Sequence, residues 1–344
     1  MKILIVTDAW EPQVNGVVRT LQNTARCLEK KGHEVKIVGP KGGVSLPFYP
    51  EIKLDLFSYN RLKRIIESFL PDAIHIATEG PMGWAARAIC LKKKGQFTTA
   101  YHTRFPQYLA ARVPKIMKEL IEKISISVLR KFHAPSKVVL VPTLSIKEEL
   151  RGYGIENIKI WGRGVDVEAF GKVDFAVDPY EGLARPILLS VGRVAVEKNL
   201  EMFLEIQTVG TKVVVGDGPD LERLRKKYPQ VRFLGKLEKE ALFCAYFCAN
   251  LFVFASKTDT FGLVLLEACA AGLRIAAYPA PGPKDLFVAK ECKQFVVLKE
   301  NLQEAVDQAL ALPESREAAR AFARCHEWEV CSEEFCAYLA PIHP

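Results

Sequence analysis

The chain has 344 residues, 49% hydrophobic and 26% charged, with nine cysteines and a net charge of +8. These proportions exclude a disordered chain, and the length suits two α/β domains, each able to bury its own core. No apolar run reaches the roughly 18 residues of a membrane span. Met1–Trp10 lacks the long apolar region of a signal peptide, so the expected location is the cytoplasm.

Strand-like runs follow one another along the chain: Ile3–Thr7, Glu34–Val38, Ala73–Ala77, Phe97–Tyr101 and Val138–Val141. After a break come Ile187–Val191, Lys212–Val215, Val231–Leu234, Leu251–Ala255, Arg274–Ala277 and Phe295–Leu298. Most are short and apolar at successive positions, the pattern of strands buried on both faces of a parallel sheet. Helix-like stretches such as Val17–Lys31 and Arg61–Phe69 separate them. This βαβ alternation predicts a doubly wound α/β fold. The break, with Gly171, Pro179, Gly182 and Pro186, reads as a linker over 169–185. The first domain is then 1–168 and the second 186–325. Two such sheets facing each other would leave a cleft at their carboxyl ends, where ligands bind.

The cysteine count is odd, no CxxC pair occurs, and no disulfide framework or zinc site is expected. Cys244 and Cys248 read as buried thiols on an apolar helix face.

Charge is uneven. Residues 1–165 hold 27 Lys and Arg against 14 Asp and Glu; residues 166–344 hold 21 against 26. The basic half contains the amphipathic stretch Arg112–Lys131, the group Arg61, Lys63 and Arg64, and the run Lys92-Lys93-Lys94. Such segments are either ordinary surface helices or a face for an anionic bilayer. Nucleic acid is not expected as a partner, because no RRM, KH or zinc motif accompanies the charge.

Three segments carry chemistry. Asn15-Gly16 follows the first strand and opens a helix; it is either a phosphate-binding turn or a plain cap. Gly192-Arg193 and Glu197-Lys198-Asn199 follow a buried strand, where two cations suit a diphosphate leaving group better than solvent. Ser256–Ala268 follows the strand Leu251–Ala255, with Asp259 and Glu267 separated by seven residues. A helix starting near Gly262 would aim free N–H groups at the strand end. Asp259 either binds sugar hydroxyls or caps that helix. Glu267, amid apolar neighbours, either reaches a ribose or serves helix packing, and in both cases needs a partner.

Thr258–Glu267 resembles the E-x7-E element of retaining glycosyltransferases of family 4, with Asp259 replacing the more usual Glu. Gly192-Arg193 with Glu197-Lys198-Asn199 resembles the G-R-x-x-x-E-K-N element of that family, and Asn15-Gly16 its N-terminal glycine loop. Tyr101–Pro106 and Trp161–Asp166 are similar to further blocks of its branch of lipid glycosyl- and mannosyltransferases. The blocks stand in family order along nearly the whole chain.

The resemblance implies a GT-B fold, two Rossmann-like domains facing a central cleft, with a terminal helix over 326–344 crossing back to the first domain. It implies that Arg193 and Lys198, with the amide of Gly16, hold the donor diphosphate, and that Glu267 holds the ribose. Asp259 and the backbone at Phe261, Gly262 and Leu263 would hold the donor sugar, with His102 beside that sugar and its acceptor. No metal and no cofactor beyond the nucleotide sugar is implied. The expected activity is retaining transfer of a hexose, mannose from GDP in first place, to a membrane lipid or lipid-linked glycan. The basic half would lie peripherally on the inner face of an anionic membrane. A UDP-hexose-dependent diacylglycerol glycosyltransferase is the second expectation. A silent nucleotide-sugar-binding subunit is the third, disfavoured because Arg193, Lys198, Asp259, Glu267 and His102 are all present.

Overall fold

The computed structural model describes residues 1–342 except 14, 47–48, 103, 105–114 and 172–177. The chain divides into two units, Met1–Gly162 with Trp328–Pro344, and Arg163–Glu327.

The strands of the first unit are β1 (Lys2–Val6), β2 (Glu34–Val38), β3 (Val44–Leu46), β4 (Tyr49–Leu54), β5 (Ala73–Ile76), β6 (Thr98–Ala100), β7 (Val138–Val141) and β8 (Ile158–Ile160). Six of them form a parallel sheet in the order β2-β1-β5-β6-β7-β8, and β3 with β4 forms a separate antiparallel hairpin. β1 is apolar and buried on both faces from Ile3 to Val6. The helix Gly16–Lys30 forms because Asn15 caps it, accepting from the backbone N–H groups of Val17 and Val18 at 3.0 Å. Its Val18, Leu21, Ala25 and Leu28 recur at helical spacing and are buried.

The helix Trp328–Tyr338 belongs to this unit and packs against Gly16–Lys30. Trp161, fully buried just after β8, donates from its indole N–H to the Cys331 carbonyl at 3.0 Å and lies 4.8 Å from the Phe335 ring. Beyond the helix, Ile342 pairs through its backbone with Asp72 and Gln96.

The second unit contains β9 (Ile187–Val191), β10 (Thr211–Val215), β11 (Arg232–Gly235), β12 (Leu251–Phe254), β13 (Arg274–Ala277) and β14 (Val296–Leu298). They form one parallel sheet in the order β11-β10-β9-β12-β13-β14. Successive residues serve opposite faces: Leu189, Val213, Val215 and Phe252 enter one core cluster, while Leu188, Val214, Leu251 and Val253 enter the other. The strand order reverses at β9, which pairs with both β10 and β12. That reversal places the carboxyl ends of β9 and β12 side by side, the position at which open α/β sheets bind ligands.

The unit boundary differs from the expected one at 168. Val165 is buried in the core of the second unit, donates its N–H to the His326 carbonyl and bridges Glu327; Phe170 and Tyr180 share that core. Part of the expected linker is therefore core, and 172–177 lie outside the described residues. β8 and the β3–β4 hairpin were not anticipated. β8 is a three-residue edge strand reading Ile-Lys-Ile, too short and too alternating to stand out, and the hairpin carries Pro50 and charged residues. None of the nine cysteines is in a disulfide, and Cys244 and Cys248 are half-buried rather than buried.

Candidate functional site

In the second unit, the loops after β9 and β10 are pressed together. Gly192 donates to the Val215 carbonyl and Val194 to the Asp217 carbonyl, both at 2.9 Å. Gly216 has φ +138°, and a Cβ there would collide with the Gly192 carbonyl. Glycine is thus required for the close approach that holds the Arg193 loop in place. A short turn, Val196–Lys198, then carries Lys198 toward β12. Asn199 fastens this turn, donating from Nδ2 to the Ala255 carbonyl at 3.1 Å. The Ser256 and Thr258 hydroxyls donate to the Glu197 carbonyl.

This stitching brings Lys198 against Asp259. The ammonium lies 2.7 Å and 2.9 Å from the two carboxylate oxygens, with both side chains partly exposed. Phe261 is buried, and Gly262 follows at φ +86°, a left-handed conformation that turns the chain into the helix Leu263–Ala270. The N–H groups of Leu263 and Val264 precede the helix's own hydrogen-bonding pattern, while the Leu265 N–H is taken by the Gly262 carbonyl at 2.9 Å.

Glu267 lies one turn into the helix and is half-buried. The Tyr246 hydroxyl donates to its Oε2 at 2.7 Å, and Tyr246 itself is fully buried. The partner that the sequence demanded for this carboxylate is therefore a tyrosine from a neighbouring helix.

In the first unit, Gly16 is the exposed first residue of its helix. His102 follows β6, half-buried, with its ring edge toward Trp161 at 6.0 Å. Asp8 closes β1 and spans the gap to β5. It accepts from the Thr78 hydroxyl at 2.9 Å and the Met82 backbone N–H at 2.9 Å, and burial raises its pKa despite those bonds. Beside it, Glu79 contacts the buried His133 at 3.3 Å, and His133 is bonded through Nδ1 to Thr99.

The structure thus gathers Lys198, Asp259, Phe261, Gly262 and Leu263 around adjacent strand ends of one unit, with Arg193 and Glu267 on the same elements. Gly16 and His102 stand at strand ends of the other. Sequence reasoning missed Tyr246 and Asn199. Asn199 stood inside a quoted motif, but Tyr246 lay in a helix read only for its thiols.

Comparison with known proteins places the chain among glycosyltransferases. Residues 14–169 match Glycosyltransferase Family 4, and residues 181–326 match Glycosyl transferases group 1. The sulfoquinovosyl transferase SQD2 of Arabidopsis thaliana is 30% identical over 79% of this chain, which spans 58% of that relative's length. A GDP-mannose-dependent alpha-mannosyltransferase of Mycobacterium tuberculosis is 25% identical over 99% of this chain and 97% of its own. An alpha-monoglucosyldiacylglycerol synthase of Streptococcus pneumoniae is 26% identical over 92% and 80%. Among solved structures, sucrose-phosphate synthase of Thermosynechococcus elongatus superposes with TM-score 0.77 at 19% identity, covering 98% of this chain and 97% of that one. WaaG, a glycosyltransferase involved in lipopolysaccharide biosynthesis, superposes at 0.71 and 16%, covering 98% and 99%.

Two α/β units with six-stranded parallel sheets and these structural neighbours define the GT-B fold, and the family matches with the relatives make the chain a glycosyltransferase. The chain belongs to glycosyltransferase family 4.

Proposed function

We propose that the protein transfers a hexose, mannose in first place, from a GDP- or UDP-sugar to a membrane lipid or lipid-linked glycan, with retention of anomeric configuration. The observation that carries this reading is the group at the ends of β9 and β12: a lysine, a carboxylate and a left-handed glycine opening a helix. Arg193 and Lys198 are assigned to the donor diphosphate, Glu267 to the ribose, and Asp259 with the backbone at Phe261, Gly262 and Leu263 to the donor sugar. In the first unit, the Gly16 amide is assigned to a donor phosphate and His102 to the transferred sugar and its acceptor.

In the proposed step, the acceptor oxygen bonds to the anomeric carbon as the bond from that carbon to the phosphate oxygen breaks. The electron pair leaves with the nucleoside diphosphate, and the acceptor proton passes to an oxygen of the departing phosphate on the same face. Arg193 and Lys198 stabilise the charge that develops there, and positioning supplies the rest. No metal ion or cofactor enters this step.

A lipid acceptor is supported by the helix Lys115–His133. Met117, Leu120, Ile124 and Val128 are 44, 58, 50 and 49% exposed, and their spacing puts them on one face. Lys118, Lys123 and Lys131 are exposed on the same helix. An uncovered apolar stripe with lysines suits the headgroup layer of an anionic membrane, attached peripherally from the cytoplasmic side. Among the described residues, no helix is long and apolar enough to cross a membrane. The other basic groups are partly engaged: Arg61 bonds Asp55 and the Gly39 carbonyl, and Lys93 pairs with Glu67. Residues 112–114, also read as part of the amphipathic stretch, lie outside the described residues.

Melting the purified protein with GDP, UDP, GDP-mannose and UDP-glucose tests the reading. A ligand at about 100 times its Kd stabilises the native state by about 2.7 kcal/mol. The matching nucleotide should therefore raise the Tm by several degrees, and Arg193→Ala should abolish the rise. No rise with any of them overturns the proposal.

A further inference from the structure

The helix Arg316–Arg324 packs against the helix Leu263–Ala270 through small residues: Ala319 and Ala323, four positions apart, are fully buried, and Ala270 is buried with them. Arg316, Arg320 and Arg324 recur at the same spacing on an adjoining row. Like charges four apart on a helix repel one another, so this row calls for anions beside it.

Two of these arginines line a pocket of about 290 Å³ within the second unit. Val167 and Ala270 give it apolar walls, Glu168 and Glu327 bring carboxylates, and Arg320 and Arg324 bring guanidinium groups. The volume is close to the roughly 300 Å³ at which small-molecule sites begin, room for a single ring. Ala270 ends the helix that follows Gly262, so the pocket stands about 12 Å along the helix axis from the group assigned to the donor sugar.

The three arginines are not equally engaged. Arg316 stands 5.1 Å from the centre of the Phe247 ring and donates to the Phe247 carbonyl at 3.3 Å. Arg324 pairs with Glu317 at 2.7 Å, but the two side chains are 52% and 74% exposed, and such a pair is readily exchanged for a ligand. Arg320 is half-buried, and its guanidinium lies over Phe247, 5.5 Å from the ring centre. Its Nε–H is buried without a hydrogen-bond acceptor. Among the described residues, Arg320 has no ion-pair partner. A partly buried cation with an orphaned donor is costly unless an anion completes it. Stacking on Phe247 holds the planar fork in one orientation, which suits an oxyanion bound at two points.

We infer that this pocket binds a phosphate monoester of a single hexose, at a site separate from those of donor and acceptor. Arg320 and Arg324 take the phosphate oxygens. The hexose hydroxyls donate to the carboxylates of Glu168 and Glu327, and Val167 and Ala270 face its C–H groups. The site does not depend on the transferase reading, and its test needs no turnover.

The experiment is calorimetric titration of the full chain with mannose 6-phosphate, glucose 6-phosphate, inorganic phosphate and mannose, each with and without saturating GDP or UDP. The hexose phosphates should bind about tenfold more tightly than inorganic phosphate or mannose, and equally well when nucleotide is present. Arg320→Met keeps an apolar stem over Phe247 and removes the charge. It should weaken hexose phosphate binding about tenfold or more, the scale of a lost charge-assisted hydrogen bond. Arg324→Gln, at an exposed position where folding is not at risk, should weaken it severalfold. Glu327→Gln should weaken hexose phosphate binding and leave inorganic phosphate as it was. The Tm rise with nucleotide should persist in all three variants. Binding that nucleotide displaces and that Arg320→Met leaves unchanged overturns the inference, because it places the sugar phosphate in the donor site. Failure of both hexose phosphates to bind overturns it outright. Inorganic phosphate bound as tightly as the hexose phosphates, with no response to Glu327→Gln, overturns the assignment of a sugar.

Discussion

Lys198 and Asp259 hold each other in a two-point ion pair, although they lie 61 positions apart in the chain. The pair exists because β9 and β12 are neighbours, and it joins a group assigned to the diphosphate to one assigned to the sugar. On that assignment an incoming diphosphate competes with Asp259 for Lys198. The side chains are 28% and 20% exposed, which limits the pair to about 1 kcal/mol or less of stability. Lys198→Ala should leave the Tm nearly unchanged and lower kcat by about 10²–10³. Asp259→Ala should abolish sugar transfer and yet tighten binding of the bare nucleoside diphosphate by about two- to fivefold, because the lysine is released. Calorimetric titration of both variants with GDP and UDP checks the opposite signs.

Tyr246 orients Glu267. Removing its hydroxyl deletes a hydrogen bond to a carboxylate, of about 1.5–3 kcal/mol. Tyr246→Phe should raise the donor KM about tenfold with little change in kcat. With 2′- and 3′-deoxyribose donors the difference between wild type and variant should shrink, because the hydroxyls that Glu267 would bind are gone. A loss of the same size with every donor would instead mark Tyr246 as a general packing residue.

The exposed stripe on the helix Lys115–His133 makes a separable prediction. Leu120→Glu and Ile124→Glu place carboxylates where the side chains meet solvent, so the fold should persist with its stability changed by about 0.5 kcal/mol or less. Flotation with anionic vesicles should fall severalfold, while nucleotide stabilisation stays as it was. Unaltered flotation would remove this helix from the membrane contact.

Asp8 gives a pH dependence with a definite sign. Burial is the largest influence on it and raises its pKa above 3.8, outweighing the hydrogen bonds from Met82, Thr78 and Gly83. A carboxyl whose folded pKa is raised favours folding most when protonated, and that contribution is lost as pH rises through the folded value. The neutral amide of Asp8→Asn does not titrate. The Tm of wild type relative to this variant should therefore increase as pH is lowered from 7 toward 4, as differential scanning calorimetry would measure.

The parts legible in the sequence were those decided locally. Leu251–Phe254 is apolar throughout because it is buried on both faces, and it reads as a strand without any other information. Asn15-Gly16 announces a helix start because the cap is made by adjacent residues. The Lys198–Asp259 pair, the Tyr246 partner of Glu267 and the Asp8 bridge to the loop after β5 depend on strand order and helix placement, and no local pattern encodes them. The amphipathic stretch was legible as such, but its two apolar sides were not distinguishable. Leu129 and Phe132 turned inward, while Leu120 and Ile124 remained in solvent.

The first unit is discontinuous: its sheet ends at β8, and the helix that covers Trp161 arrives only after the whole second unit. On a ribosome adding about 5–20 residues per second, that delay is roughly 10–30 s. Throughout it, Trp161 lacks Phe335 and the Cys331 carbonyl, and Asp72 and Gln96 lack Ile342. The unit begun first is thus completed last. A nascent chain passes through a stage in which the second unit can close while the first still presents an open apolar seam to chaperones and proteases.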